Sequence, residues 1–185
     1  MNDFWSDYAN AAREAELFQL PAASAVAIVG PVADVEPTVA RHRDQGGPDR
    51  PVFVYTTGPN MAGVEGWTRL RRANDLLVAL DRFADRGPIL VIDAKDVEPD
   101  EVDGLIHELR RRGVELVHLV VDQPDPSPED LATWLGLVGQ PSVVDLVFPL
   151  APGRVVDLID RGEPIASVAG VPISGPLLFA LRTAE

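Results

Sequence analysis

Apolar residues along this chain occur in two alternating kinds of segment. Short continuous runs stand at Ala25–Gly30, Val52–Thr57, Ile89–Asp93, Leu116–Asp122, Val143–Phe148 and Pro164–Gly170. They are rich in Val and Ile and show little polar alternation, as strands buried on both faces of a parallel sheet do. Between them the apolar positions recur at steps of three or four. Val64, Trp67, Leu70, Ala73, Leu77, Leu80 and Phe83 form one such stripe, which predicts a single helix between the second and third runs. Val102, Leu105, Ile106 and Leu109 form the next, with Glu98 and Asp100 before it, Arg110–Arg112 at its end and Gly113 as its stop. Ser127 is placed to cap a helix that has Pro128 at its first position and Asp130 three residues on. Leu131, Trp134, Leu135 and Val138 make the inner face of that helix. Val155, Val156, Leu158 and Ile159 predict a short helix before Gly162, and Gly175–Thr183 a final one.

Strand and helix in alternation build a mainly parallel sheet of about six strands with helices on both faces, an α/β fold of three layers. The 185 residues are read as a single domain, 1–185. Within it a helix at residues 1–20, running roughly from Asn2 to Phe18, is expected to dock on an α/β domain at 25–183.

Composition narrows the function classes. Sixteen Lys and Arg against 29 Asp and Glu leave a net charge of −13. That balance argues against nonspecific nucleic-acid binding and against an anionic membrane surface. Cysteine is absent, which removes disulfides, zinc thiolates and thiol nucleophiles, and 3 His make a histidine-rich metal site a poor expectation. No apolar run reaches 18 residues and the N-terminus is acidic, so a cytoplasmic protein without membrane insertion is expected. Lys95 is the only lysine.

Open α/β sheets bind ligands at the carboxyl ends of their strands. The first such loop, Gly30-Pro31-Val32-Ala33-Asp34-Val35-Glu36-Pro37-Thr38, stands where G-x-x-x-x-G-K-[ST] would form a phosphate cradle. Gly30 matches the first glycine; Val35, Glu36 and Pro37 replace the second glycine, the lysine and the hydroxyl residue. In its order of elements the chain resembles the G domain of signal-recognition-particle-type GTPases, including the flagellar-targeting member. Gly30–Thr38 resembles a decayed GPTGVGKTT-like loop, and Gly58–Trp67 stands at the segment that follows the family's second strand. Ile92-Asp93-Ala94-Lys95-Asp96 stands at the family's D-T-A-G-R, Leu119–Asp122 at its L-V-x-D-A, and Pro149–Pro152 at its base-reading T-K-x-D. Pro164–Gly170 stands at its final P-I-x-x-x-G-x-G. The resemblance implies a P-loop NTPase-like, Rossmann-like fold with strand order 2-3-1-4-5-6. It marks Gly30, Asp34, Glu36, Thr38 and Asp93 as degenerate nucleotide-site positions.

The replacements oppose phosphate binding. A unit charge pair about 4 Å apart is worth roughly 4 kcal/mol at an effective dielectric near 20, and Glu36 reverses its sign. Val35 brings a Cβ where backbone must approach closely, and Pro37 removes an N–H. Asp34 and Glu36 are expected instead to cap the helix that follows, filling the anion position with the protein's own acids. The expected function is therefore a noncatalytic, pseudo-GTPase-like domain acting by protein–protein contact or self-association. No catalytic residue, metal or cofactor is assigned. Its protein partner is unknown, and a homodimer is the arrangement that analogy suggests. The alternative is a small-ligand- or metal-binding protein, or an enzyme, that uses strand-end aspartates on the same sheet edge: Asp93, Asp96, Asp122 and Asp125. His118 and His107 are expected to be structural and His42 to lie on the surface. The arginine clusters Arg69, Arg71, Arg72 and Arg110–Arg112 are expected at helix C-termini or in solvent, with docking of an acidic partner as the sharper reading. No G-x-S-x-G surrounds any serine, so a hydrolase triad has no support.

Overall fold

The computed structural model describes residues 24–58, 65–139 and 142–183. The expected N-terminal helix and the segment 59–64, with Gly63 and Val64, lie outside the described residues. Eight strands form one sheet: β1 (Val26–Gly30), β2 (Val52–Tyr55), β3 (Trp67–Leu70), β4 (Ile89–Asp93), β5 (Leu116–Val121), β6 (Ser142–Leu146), β7 (Ile165–Val168) and β8 (Val171–Pro172). The described helices are α1 (Glu36–Gly46), α2 (Ala73–Arg82), α3 (Pro99–Arg111), α4 (Pro128–Val138), α5 (Pro152–Asp160) and α6 (Gly175–Thr183).

The fold is α/β with a mostly parallel sheet, in the order β3-β2-β4-β1-β5-β6-β7-β8, and only β8 runs antiparallel. This differs from the expected six strands and their order. The difference lies at the edges, where two strands extend the sheet. The first is β3, which occupies part of the helix expected over Val64–Phe83. Trp67 packs against one core cluster and Leu70 against the other. Residues three apart share a face in a helix and oppose each other in a strand, so the periodic stripe was coincidental at its start. Backbone pairing with β2, in the register Val52↔Trp67 to Tyr55↔Leu70, decides the conformation. The stripe becomes a helix only from Ala73. At the other edge the expected strand Pro164–Gly170 stops at Val168. Ala169 and Gly170 turn with φ of 51° and 77°, and β8 folds back. Positive φ at both central residues is the geometry that matches strand twist in a two-residue hairpin.

Crossover handedness distributes the helices. Parallel crossovers are right-handed, so the direction of travel along the sheet selects the face. The β1–β2 connection runs one way and places α1 over Val26, Ile28, Val52, Val54, Ile89 and Val91, which pack with its Val35 and Val39. The β3–β4, β4–β5, β5–β6 and β6–β7 connections run the other way. Their helices supply Leu76, Leu109, Leu131 and Leu158 to the larger core on the opposite face, with Ala27, Val29, Leu90 and Ile92 of the sheet. The chain thus reverses direction beside β1. Loops leaving β1 and β4 diverge to opposite faces, and a crevice opens between them at the carboxyl edge.

Several local expectations hold. Ser127 and Asp130 form a reciprocal capping box: Ser127 Oγ accepts from the Asp130 N–H at 3.1 Å, and the Ser127 N–H donates to Asp130 Oδ2 at 3.1 Å. Arg110 donates to the carbonyls of Val138 and Gly139 at the end of α4, at 3.1 and 3.2 Å. Arg112 pairs with Glu108 and Asp81. These arginines of the 110–112 cluster therefore serve helix ends and neighbouring acids within the chain. A buried guanidinium fastens the opposite edge of the sheet: Arg50 donates to the carbonyls of Ser24, His42 and Gly87. Among the described residues no helix is long and apolar enough to cross a membrane.

Candidate functional site

A cleft of about 1330 Å³ lies at the carboxyl edge, over β1, β4 and β5. The β1–α1 loop forms one wall, with Pro31, Val32, Asp34 and Glu36. The segment after β4 brings Asp93, Lys95 and Asp96, and β5 ends in Asp122. Val97, Val102, Trp134 and Leu137 form an apolar wall from the start of α3 and the flank of α4. Asp34, Glu36 and Asp93 thus share the cleft, while Gly30 and Thr38 do not line it.

The loop is held by side chains of the protein itself. Asp93 is 5% exposed, and its Oδ2 accepts from the Thr56 hydroxyl at 2.9 Å. Its Oδ1 accepts long contacts, both 3.4 Å, from the N–H groups of Val32 and Lys95. Asp93 therefore anchors the β1 loop. Gly30 is needed for packing, because a Cβ there would stand 2.7 Å from Val120 Cβ and 2.9 Å from Val120 O. Helix α1 begins at Glu36 with Val35 at its cap position and Pro37 in its first turn, and no side chain caps it. The expected carboxylate cap is corrected in part. Glu36 stands in the first turn, but Asp34 is directed at Asp122 instead of the helix N–H groups. Two carboxyls in contact repel when both ionise, so one retains a proton more strongly. The Asp34 carboxyl is accordingly held above its ordinary range by burial first, then by the charge and hydrogen bond of Asp122, with Lys95 opposing. Asp125 turns away with φ of 49° and pairs with Arg154 at 3.0 Å. Among the described residues no group of His, Asp and Glu is arranged to hold a metal ion.

Thr38 belongs to a second polar cluster, buried between α1 and strands β5–β7. Its hydroxyl donates to Asp145 Oδ2 at 2.7 Å. Arg41 Nη2 reaches the same oxygen at 2.6 Å, and His118 Nδ1 lies 3.1 Å from it. The Ser167 hydroxyl donates to Oδ1 at 2.6 Å. Burial would push the Asp145 carboxyl up, but the hydrogen bond and charge of His118, then Arg41, hold it well below the carboxylate range. His42 is buried, not on the surface as expected, because Thr38, Val39 and His42 share the sheet-facing side of α1. Its ring meets His118 edge-on at 4.6 Å. Neither His42 ring nitrogen has a hydrogen-bond partner among the described residues. Burial first, then the charges of His118, Arg50 and Arg41, pull the His42 imidazole down to about 3, with Asp145 opposing. Ser167 and His118 both engage Asp145 and not each other, so this cluster lacks the relay of a nucleophilic triad.

Asp145 was not singled out from the sequence. The available signal was an acid inside the Val-rich run Val143–Phe148, since a carboxylate in a buried strand requires partners. Trp134 was placed on the inner face of its helix; it is half-buried and lines the cleft. No protein-family model and no curated protein matches this chain.

Proposed function

We propose that the protein is a noncatalytic, P-loop-like domain that acts by binding a protein partner at the carboxyl edge of its sheet. The observation that carries this reading is the β1–α1 loop. The N–H of Val32 is engaged by Asp93, and Asp34, Glu36 and Asp122 surround the position that a phosphate would take. A phosphate there meets carboxylates with Lys95 as the one cationic side chain lining the cleft among the described residues, and each close like-charge pair costs kcal/mol-scale repulsion. This supports a pseudo-GTPase-like domain over a nucleotide hydrolase. Calorimetric titration with the magnesium complexes of GTP and ATP is expected to give no heat of binding. Micromolar binding, or turnover abolished by Asp93→Ala, overturns the reading.

The paired carboxyls favour a second reading, a small-ligand protein or enzyme that uses Asp34 and Asp122 as neighbouring acid–base groups in the cleft. A saturable small-molecule stabilisation in a thermal-shift screen, lost in Asp122→Asn, would select it over the first.

A further inference from the structure

The cleft has two chemically distinct walls, and together they define what fits it. Its volume of about 1330 Å³ exceeds the range of roughly 300–1,000 Å³ usual for small-molecule sites, which points to an extended occupant. One wall is apolar: Val97, Val102, Trp134 and Leu137. Trp134 is half-buried, so part of its ring is open to a partner. Facing it, Asp34, Glu36, Asp96 and Asp122 outnumber Lys95, and no arginine among the described residues lines the cleft. The net charge of −13 adds a long-range field that draws cations and repels anions.

We propose that this cleft receives a basic amphipathic segment of a protein partner, which seats an apolar side chain against Trp134 and Leu137 and an arginine or lysine between Asp34 and Asp122. The inference rests on the binding-domain reading above and gives that reading its partner chemistry. An incoming cation offsets the repulsion between the two carboxyls. Trp134 supplies an aromatic face for the apolar anchor and for the cation beside it.

The test uses the full chain and a labelled 16-residue helical peptide with leucines and arginines on adjoining faces. One companion peptide carries citrulline for arginine, and another serine for leucine. The arginine peptide is expected to bind saturably, to change Trp134 fluorescence, and to lose about tenfold affinity with either companion. Asp122→Asn and Asp34→Asn are expected to weaken the arginine peptide to a similar degree and to leave the citrulline peptide unchanged. Asp157→Asn, on α5 outside the cleft, is expected to change nothing. Absence of binding to protein with native circular dichroism overturns the inference, as does equal affinity for the arginine and citrulline peptides. Arginine amide binding as tightly as the peptide overturns it too. Failure here with no nucleotide binding leaves the binding-domain reading in place, whereas nucleotide binding overturns both.

Discussion

Two aspartates beside the first turns of α1 have opposite fates. Asp145 sits beneath α1 and collects Thr38, Arg41, His118 and Ser167, so its charge is stabilised in a dry site. Asp34 sits one loop earlier, at the cleft, and has another carboxyl as its close partner. The same chemical group meets donors and a cation in one place and another acid in the other. The supply of partners makes the difference: a fully satisfied buried charge holds elements in register, and an unsatisfied rim charge waits for a counterion.

The largest expected effect comes from Asp145→Ala, which leaves the part-buried Arg41 without its counter-charge. Breaking a buried pair in this way costs about 3–5 kcal/mol, and urea denaturation is expected to show it. A change below 1 kcal/mol would mean that the cluster is not what registers α1 on the sheet.

Acid should act next, and mainly through the same cluster. His42 titrates near 3 when folded and near 6.5 when unfolded. A depressed folded value means that the unfolded chain binds the proton first. Its contribution is therefore present above 6.5 and lost as the pH falls toward 3, at up to about 1.4 kcal/mol per pH unit. Asp145 adds its own loss only as the pH falls below the ordinary carboxylate value of 3.8. His42→Leu is expected to flatten the slope between pH 6.5 and 4. An unchanged slope would place the acid sensitivity elsewhere. Asp34 behaves oppositely: its folded value is raised, so its protonated form stabilises the fold and that stabilisation disappears as the pH rises.

Gly30→Ala sharpens the comparison at the start of the loop that carries Asp34. Its Cβ would meet backbone as well as the Val120 side chain, so β1 and β5 must separate. Overpacking of this kind costs about 1–3 kcal/mol. A neutral outcome would remove the packing explanation for this glycine. The smallest effect is expected for Asp122→Asn, which relieves Asp34 of a neighbouring charge. Stability at neutral pH should stay within about 0.5 kcal/mol of the parent, shifting upward if at all, because surface substitutions rarely do more. A large loss would make Asp122 structural and bring the cleft closer to the buried cluster in kind.

Much of the architecture was legible along the chain. The central runs are apolar at nearly every position because both of their faces are covered, and β1, β4 and β5 are buried throughout. Ser127 and Asp130 were legible as a helix start because capping is local chemistry. Edge strands were not. Trp67–Leu70 is half-exposed, lacks a decisive period, and takes its conformation from β2. Of the site, Asp34, Glu36 and Asp93 could be placed in one cleft because topology sends their loops to one edge. Thr38 could not be separated from them by sequence distance. Two residues past Glu36, the rotation of α1 carries it under the helix and onto Asp145, 107 positions away.

By itself, then, the sequence determined the alternation of strand and helix, the single large and mostly parallel sheet, and the acids and proline in place of a P-loop lysine and hydroxyl after the first strand. Each follows from residues close together in the chain. Only the tertiary structure decided which acids meet a cation and which meet one another. It buried His42, gave Asp145 its partners and brought Asp34 to Asp122, because those encounters depend on crossover direction and packing distance across the sheet.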